Sequence, residues 1–164
     1  AGTRVLLVDA DLRRPKLHKV FNIRRDPGLS NVIAADSRPS EALTESAVKG
    51  LFILPAGVDV EMPADLLDSE RIDRLLGAFR QVFDVVVLDC PPVMAVSDAS
   101  IVASAATSVV FVVGAGSTGR QVAQAAVDRL ASVNANVVGA VLNKADVPAR
   151  SDYYYPSYAA RVNA

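Results

Sequence analysis

Apolar residues in this chain gather in short continuous runs, and between the runs they recur at every third or fourth position. The runs at 4–9, 51–54, 84–89, 108–113 and 137–142 are rich in Val and Leu and bounded by turn formers, so they predict strands. Continuous rather than alternating apolarity marks a strand covered on both faces, as in a parallel sheet. Ile72, Leu75, Leu76, Phe79 and Phe83 fall at the spacing of one helix face, and Val122, Ala123, Ala126, Val127 and Leu130 do the same. Strands alternating with helices of that length imply right-handed crossovers and an α/β domain. The stretch 12–50 is less regular, because Pro15, Pro27-Gly28 and Pro39 divide it into helical pieces at 17–21, 29–34 and 41–46. No repeat and no domain boundary precedes residue 145. Past Asp146 the apolar period is lost, so 1–146 reads as one domain and 147–164 as a flexible tail.

Two of the predicted strands end in carboxylates. Arg4-Val5-Leu6-Leu7-Val8 runs into Asp9-Ala10-Asp11, and Val85-Val86-Val87-Leu88 runs into Asp89-Cys90-Pro91-Pro92. Ligands of parallel α/β sheets sit outside the carboxyl ends of the strands, where a metal–nucleotide complex would be handled. A single such Asp is explained as well by a turn or helix cap. Two in one chain point to a divided carboxylate site. The phosphate-holding partner of such a site is normally G-x-x-x-x-G-K-[ST]. Residues 114–121, GAGSTGRQ, come nearest, with Arg120 for the lysine and Gln121 for the hydroxyl residue. Arg does not replace Lys in a tight phosphate nest, and Thr118 with Gln121 predicts a helix-capping box instead.

Composition narrows the picture further. At 164 residues, 51% hydrophobic and 21% charged, the chain suits one globular domain with a sizeable core. A net charge of −1 argues against non-specific binding to nucleic acid or anionic lipid. Cys90 is the single cysteine, which excludes an internal disulfide, and with one histidine a zinc site is implausible. The uncharged stretch 99–119 is too rich in Ser, Thr and Gly for a membrane span. The first residue is not Met and a strand begins almost at once, so the chain is expected to belong to a longer protein.

Several segments in order resemble the catalytic domain of bacterial tyrosine kinases (BY-kinases), which are tied to capsule and exopolysaccharide synthesis. The apolar strand with Asp9-Ala10-Asp11-Leu12-Arg13 and Pro15 resembles their Walker A′ motif, D-x-D-x-R. Gly28-Leu29-Ser30-Asn31-Val32-Ile33 is similar to their G-L-S turn and helix. Pro63-Ala64-Asp65-Leu66-Leu67-Asp68-Ser69 is similar to their P-x-E-L-L-x-S segment, with Asp65 for the usual Glu. Phe83 to Pro92 resembles their Walker B strand, with Cys90 for the commoner Thr or Ser, and Ser97-Asp98-Ala99 follows at the expected distance. Tyr153, Tyr154, Tyr155 and Tyr158, all the tyrosines of the chain, resemble the C-terminal tyrosine cluster.

The resemblance implies a three-layer P-loop ATPase-like fold, a parallel sheet flanked by helices with a tyrosine-rich tail. It implies transfer of the γ-phosphoryl group of ATP to tyrosine, with ATP and Mg²⁺ as cofactors. Asp9 would accept or orient the tyrosine hydroxyl proton, and Asp11 and Asp89 would organise Mg²⁺, largely through water. Arg13 would approach phosphate or form a surface ion pair, and Asn143 would read the adenine edge or serve as a turn residue. Asp98 would cap its helix, and His18 would lie on a short helix without a catalytic part. The four tail tyrosines would be the acceptors, in trans. The implied partners are copies of the chain in a ring-like homo-oligomer, a membrane activator of the polysaccharide co-polymerase type (fused or separate) and a tyrosine phosphatase, with no nucleic acid. The implied place is the cytoplasm, at the inner face of the plasma membrane. The family's Walker A loop lies about one helix before the D-x-D strand, so this chain would hold a partial domain and be inactive alone. Two rival readings remain: a deviant-Walker ATPase of the partitioning or positioning type, and a non-catalytic scaffold.

Overall fold

A computed structural model describes residues 2–67 and 69–146. The tail, with Tyr153, Tyr154, Tyr155 and Tyr158, lies outside the described residues. The described residues form six strands and seven helices. They are β1 (Val5–Asp9), α1 (Leu17–Val20), α2 (Leu29–Ile33), α3 (Pro39–Ala42), β2 (Thr44–Glu45), β3 (Leu51–Leu54), α4 (Pro63–Leu66), α5 (Ser69–Arg80), β4 (Val85–Asp89), α6 (Asp98–Ala105), β5 (Val109–Gly114), α7 (Arg120–Ser132) and β6 (Val137–Asn143).

The strands form two sheets rather than one. A four-stranded sheet runs β2-β3-β1-β4, and β5 pairs with β6 alone. β1, β3 and β4 are parallel, as the continuous apolar runs require, and β5 and β6 are parallel to each other. β2 is the exception: Thr44 and Glu45 pair antiparallel with Ile53 and Phe52. The helical piece expected at 41–46 therefore ends at Ala42, because Leu43 turns extended (φ −78°, ψ 135°) and hands the chain to the sheet edge.

The core lies on one face of the larger sheet. Leu6 and Val8 of β1 and Leu54 of β3 meet Ile72, Leu76 and Phe79 of α5, Phe83 beyond it, Val102 of α6 and Leu29 of α2, all buried. Phe83 stacks edge-on with Phe52 and Phe79 at centroid distances of 5.4 and 6.3 Å. The expected α5 face is thus the one the core uses. On α7 the expected face is buried only at Ala126 and Leu130, while Val122 and Val127 are exposed.

The opposite sheet face is left open at β4, where Val85 and Val87 are 46% and 44% exposed. Val110 and Val112 of β5 are each 57% exposed. Among the described residues β4 pairs only with β1 and β5 only with β6, so each has one free edge. α6 is the link between these two incomplete edges.

Candidate active site

The carboxyl ends of β1 and β4 lie side by side. Asp9 and Asp89 are register partners in the parallel ladder, and the Ala10 amide donates to the Asp89 carbonyl at 2.8 Å. The two sequence runs that end in Asp therefore end at the same level of the sheet. Asp9 is fully buried. Its Oδ2 accepts the amides of Lys16 and Leu17, each at 2.9 Å, where the chain turns into α1. Its Oδ1 is buried and has no partner among the described residues. One oxygen is locked by two amides and the other is left for something else, which exceeds what a cap alone requires.

Asp11 accepts the Arg14 amide through Oδ1 at 2.9 Å, which closes a tight turn just beyond the strand. Desolvation, with like charge added to it, weakens the acids at this strand end. The Asp9 carboxyl is pushed above the usual carboxylate range by burial, opposed by the Leu17 and Lys16 amides and reinforced by Asp11. Asp89 is pushed up by desolvation and then by the charges of Asp9 and Asp11. Cys90 reaches the surface, yet desolvation beside Asp89 and Asp11 drives its thiol up to about 12, so it stays protonated at neutral pH.

A cation would relieve this repulsion, and the donors are hard oxygens. Among the described residues no three His, Cys, Asp or Glu side chains converge into a cage. One or two carboxylates with water and phosphate completing the shell suit Mg²⁺ and would not satisfy zinc. The unpartnered Oδ1 of Asp9 and the raised pKa values of Asp9 and Asp89 fit such a group.

Arg13 is engaged elsewhere. Its Nε and Nη2 donate to Oδ2 and Oδ1 of Asp98 at 2.7 and 3.1 Å. Asp98 is fully buried at the first position of α6 and receives this fork instead of capping the helix. Nothing local in the sequence links two positions so far apart. Asn143 ends β6 in the other sheet, paired in register with Gly114, and its Oδ1 accepts the Lys144 amide at 2.8 Å. Its side chain thus holds the amide of the next residue.

The segment 114–121 closes on itself. The Gly114 carbonyl accepts the amides of Ser117 and Thr118, and α7 begins after Gly119. Gly119 is the N-cap and no side chain caps the helix, so the capping box expected from Thr118 and Gln121 does not form. His18 sits in α1 with Nδ1 buried and unpartnered among the described residues, near enough to Asp9 to offset slightly the upward push on its pKa.

The family model for an AAA domain matches residues 1–138. Tyrosine-protein kinase YwqD of Bacillus subtilis is 34% identical over 94% of the chain. Putative tyrosine-protein kinase CapB of Staphylococcus aureus is 32% identical over 94% of the chain, which spans 68% of it. The chain belongs to the bacterial tyrosine-kinase family. The kinase domain of Escherichia coli tyrosine kinase ETK superposes over 94% of this family member with a TM-score of 0.85 at 29% identity. The match covers 65% of YwqD and 60% of the ETK kinase-domain chain, so about a third or more of each relative has no counterpart here. No described helix is long and apolar enough to cross a membrane.

Proposed function

We propose that this chain is the carboxylate half of an ATP-dependent protein-tyrosine autokinase. It transfers the γ-phosphoryl group of ATP to Tyr153, Tyr154, Tyr155 and Tyr158 of a neighbouring copy, and so regulates capsule or exopolysaccharide synthesis and export. The observation that carries this reading is the Asp9–Asp89 pair at adjoining strand ends, with one Asp9 oxygen buried and free.

Phosphoryl transfer asks mainly for positioning and charge neutralisation. The free Oδ1 of Asp9 takes the phenol proton while the tyrosine oxygen bonds to the γ-phosphorus and the β–γ bridge bond breaks, with ADP leaving. A carboxyl raised above its usual range is a better proton acceptor than an ordinary Asp, and the two amides on Oδ2 keep Oδ1 aimed. Asp11 and Asp89 would hold Mg²⁺, mainly through water, and the ion would supply positive charge to the transferred phosphoryl group. Asn143, at the end of β6, is the candidate reader of the adenine edge once its side chain leaves the Lys144 amide.

The phosphates need a backbone cradle, which segment 114–121 does not resemble closely. The free edges of β4 and β5 and the exposed valines beside them leave room for one parallel strand, followed by a phosphate loop and a covering helix. That segment is proposed to come from outside residues 1–164. The partners would be further copies in a ring, a membrane activator and a tyrosine phosphatase, at the inner face of the plasma membrane. A partitioning-type ATPase would share the strand ends and lack acceptor tyrosines.

The test mixes two full-length proteins with ATP and Mg²⁺. One carries Asp89→Asn with its tail intact, and the other is active but has Phe at all four tail tyrosines. Mass spectrometry should find phosphate on the intact tail. Its absence contradicts transfer in trans, and phosphate on the Asp89→Asn protein incubated alone contradicts the role of Asp89.

A further inference from the structure

The fork between Arg13 and Asp98 joins residues 85 positions apart, and Arg13 stands two residues after Asp11. The side chain of Asp98 is 0% exposed and that of Arg13 41%. Among the described residues no other cation reaches Asp98. Withdrawing the guanidinium toward a phosphate would strand a buried charge, which is strongly unfavourable. The bidentate geometry also fixes orientation as well as distance, which a lysine could not do.

Each end of the fork is tied to a candidate site residue. Arg13 lies between Asp11 and the Arg14 amide that Asp11 accepts, so displacing it opens that turn. Asp98 opens α6, and the segment 90–97 that precedes it follows directly on Asp89. α6 is itself held on two more sides. Arg129 of α7 donates to the Ser100 hydroxyl at 3.1 Å, and Arg80 of α5 donates to the Ala105 carbonyl at 3.2 Å. A short irregular turn is thereby pinned to a helix that cannot easily shift.

We infer that Arg13 and Asp98 form a positioning latch that sets the Asp11 turn against the segment leaving Asp89, and that Arg13 is not a phosphate ligand. The functional half of this inference rests on the phosphoryl-transfer reading above. The latch acts through Asp11 and touches neither substrate nor metal.

The test uses Asp98→Asn, nearly the same shape without the charge, in the full-length protein. The first readout is amide exchange at Arg14, remote in sequence from the substitution. Its exchange should quicken by roughly tenfold or more while amides in the β1–β3 ladder keep their protection. Unchanged exchange at Arg14 overturns the latch, whether or not the protein proves to be a kinase. The second readout is steady-state transfer. Arg13→Ala and Asp98→Asn should each lower kcat by a similar factor, roughly tenfold, with the double variant no worse and KM for ATP within about twofold. A raised KM in Arg13→Ala with normal kcat, and normal values for Asp98→Asn, would make Arg13 a phosphate contact and overturn the proposal. If Asp98→Asn does not fold, Arg13→Lys decides: it keeps the charge but loses the fork, so kcat should fall partway. Full activity in that variant overturns the latch.

Discussion

Asp89 has a cost at neutral pH that its neighbours impose. Its pKa in the folded state lies above the ordinary carboxylate value, through desolvation and the charges of Asp9 and Asp11. A native state that binds the proton more tightly than the unfolded chain loses stability as pH rises through the window between the two values. Below about pH 4 both states are protonated and the cost is absent. Asp89 is itself solvent-exposed, so screening weakens the effect, and Asp89→Asn should raise Tm by about a degree or two at pH 7, with the gain shrinking as pH falls toward 4. Thermal melts of both proteins across that range check it, and an equal Tm difference at all pH values would contradict it. A residue that weakens the fold where it stands is what a ligand site predicts. The placement of both carboxylates at strand ends was legible in the sequence because both signals are local: an apolar run, then a carboxylate. The raised pKa was not, since it needs the tertiary burial of this strand end and the register that sets Asp9 beside Asp89.

The elements show why other features were only partly legible. α5 was readable because the residues at its helical spacing are those the core covers. The α7 pattern overstated burial, because nothing among the described residues lies over Val122 and Val127. β2 was missed because Thr44 and Glu45 are a strand only through their pairing with β3. The G-L-S turn is a different case. The amides of Leu29 and Ser30 donate to the carbonyls of Pro55 and Ala56 at 2.7 and 2.9 Å, joining α2 to the loop after β3. Asn31 Oδ1 accepts the Gly28 and Val58 amides at 3.0 and 3.3 Å from both sides. A Cβ on Gly28 would run into the backbone of Pro55 and Gly57. Gly57 sits at φ +89° and cannot readily move aside. Gly28→Ala should cost about 2 kcal/mol or more, as overpacking against rigid backbone does. Urea denaturation measures it, and a loss within about 0.5 kcal/mol would show that this approach is looser than described.

At the scale of the molecule, the carboxylates stand complete at the end of one sheet while that sheet stops short. β4 and β5 each keep an unpaired edge, α6 bridges them, and valines face outward on both sides of the break. Exposed apolar strand edges are ordinarily protected in a finished domain. The sequence announced the strands but not the break, because a run of valines reads the same whether or not a neighbour covers it. The relatives extend well beyond the matched region, in keeping with a cradle carried elsewhere in the polypeptide.

The central claim is that residues 1–164 supply the carboxylates, and a further segment supplies the phosphate cradle. Calorimetric titration of ATP with Mg²⁺ into residues 1–164 and into the full-length protein tests it most directly. The account predicts micromolar binding to the full-length protein and none to residues 1–164. Micromolar binding to residues 1–164 alone would contradict it and would return segment 114–121 to the role of phosphate loop.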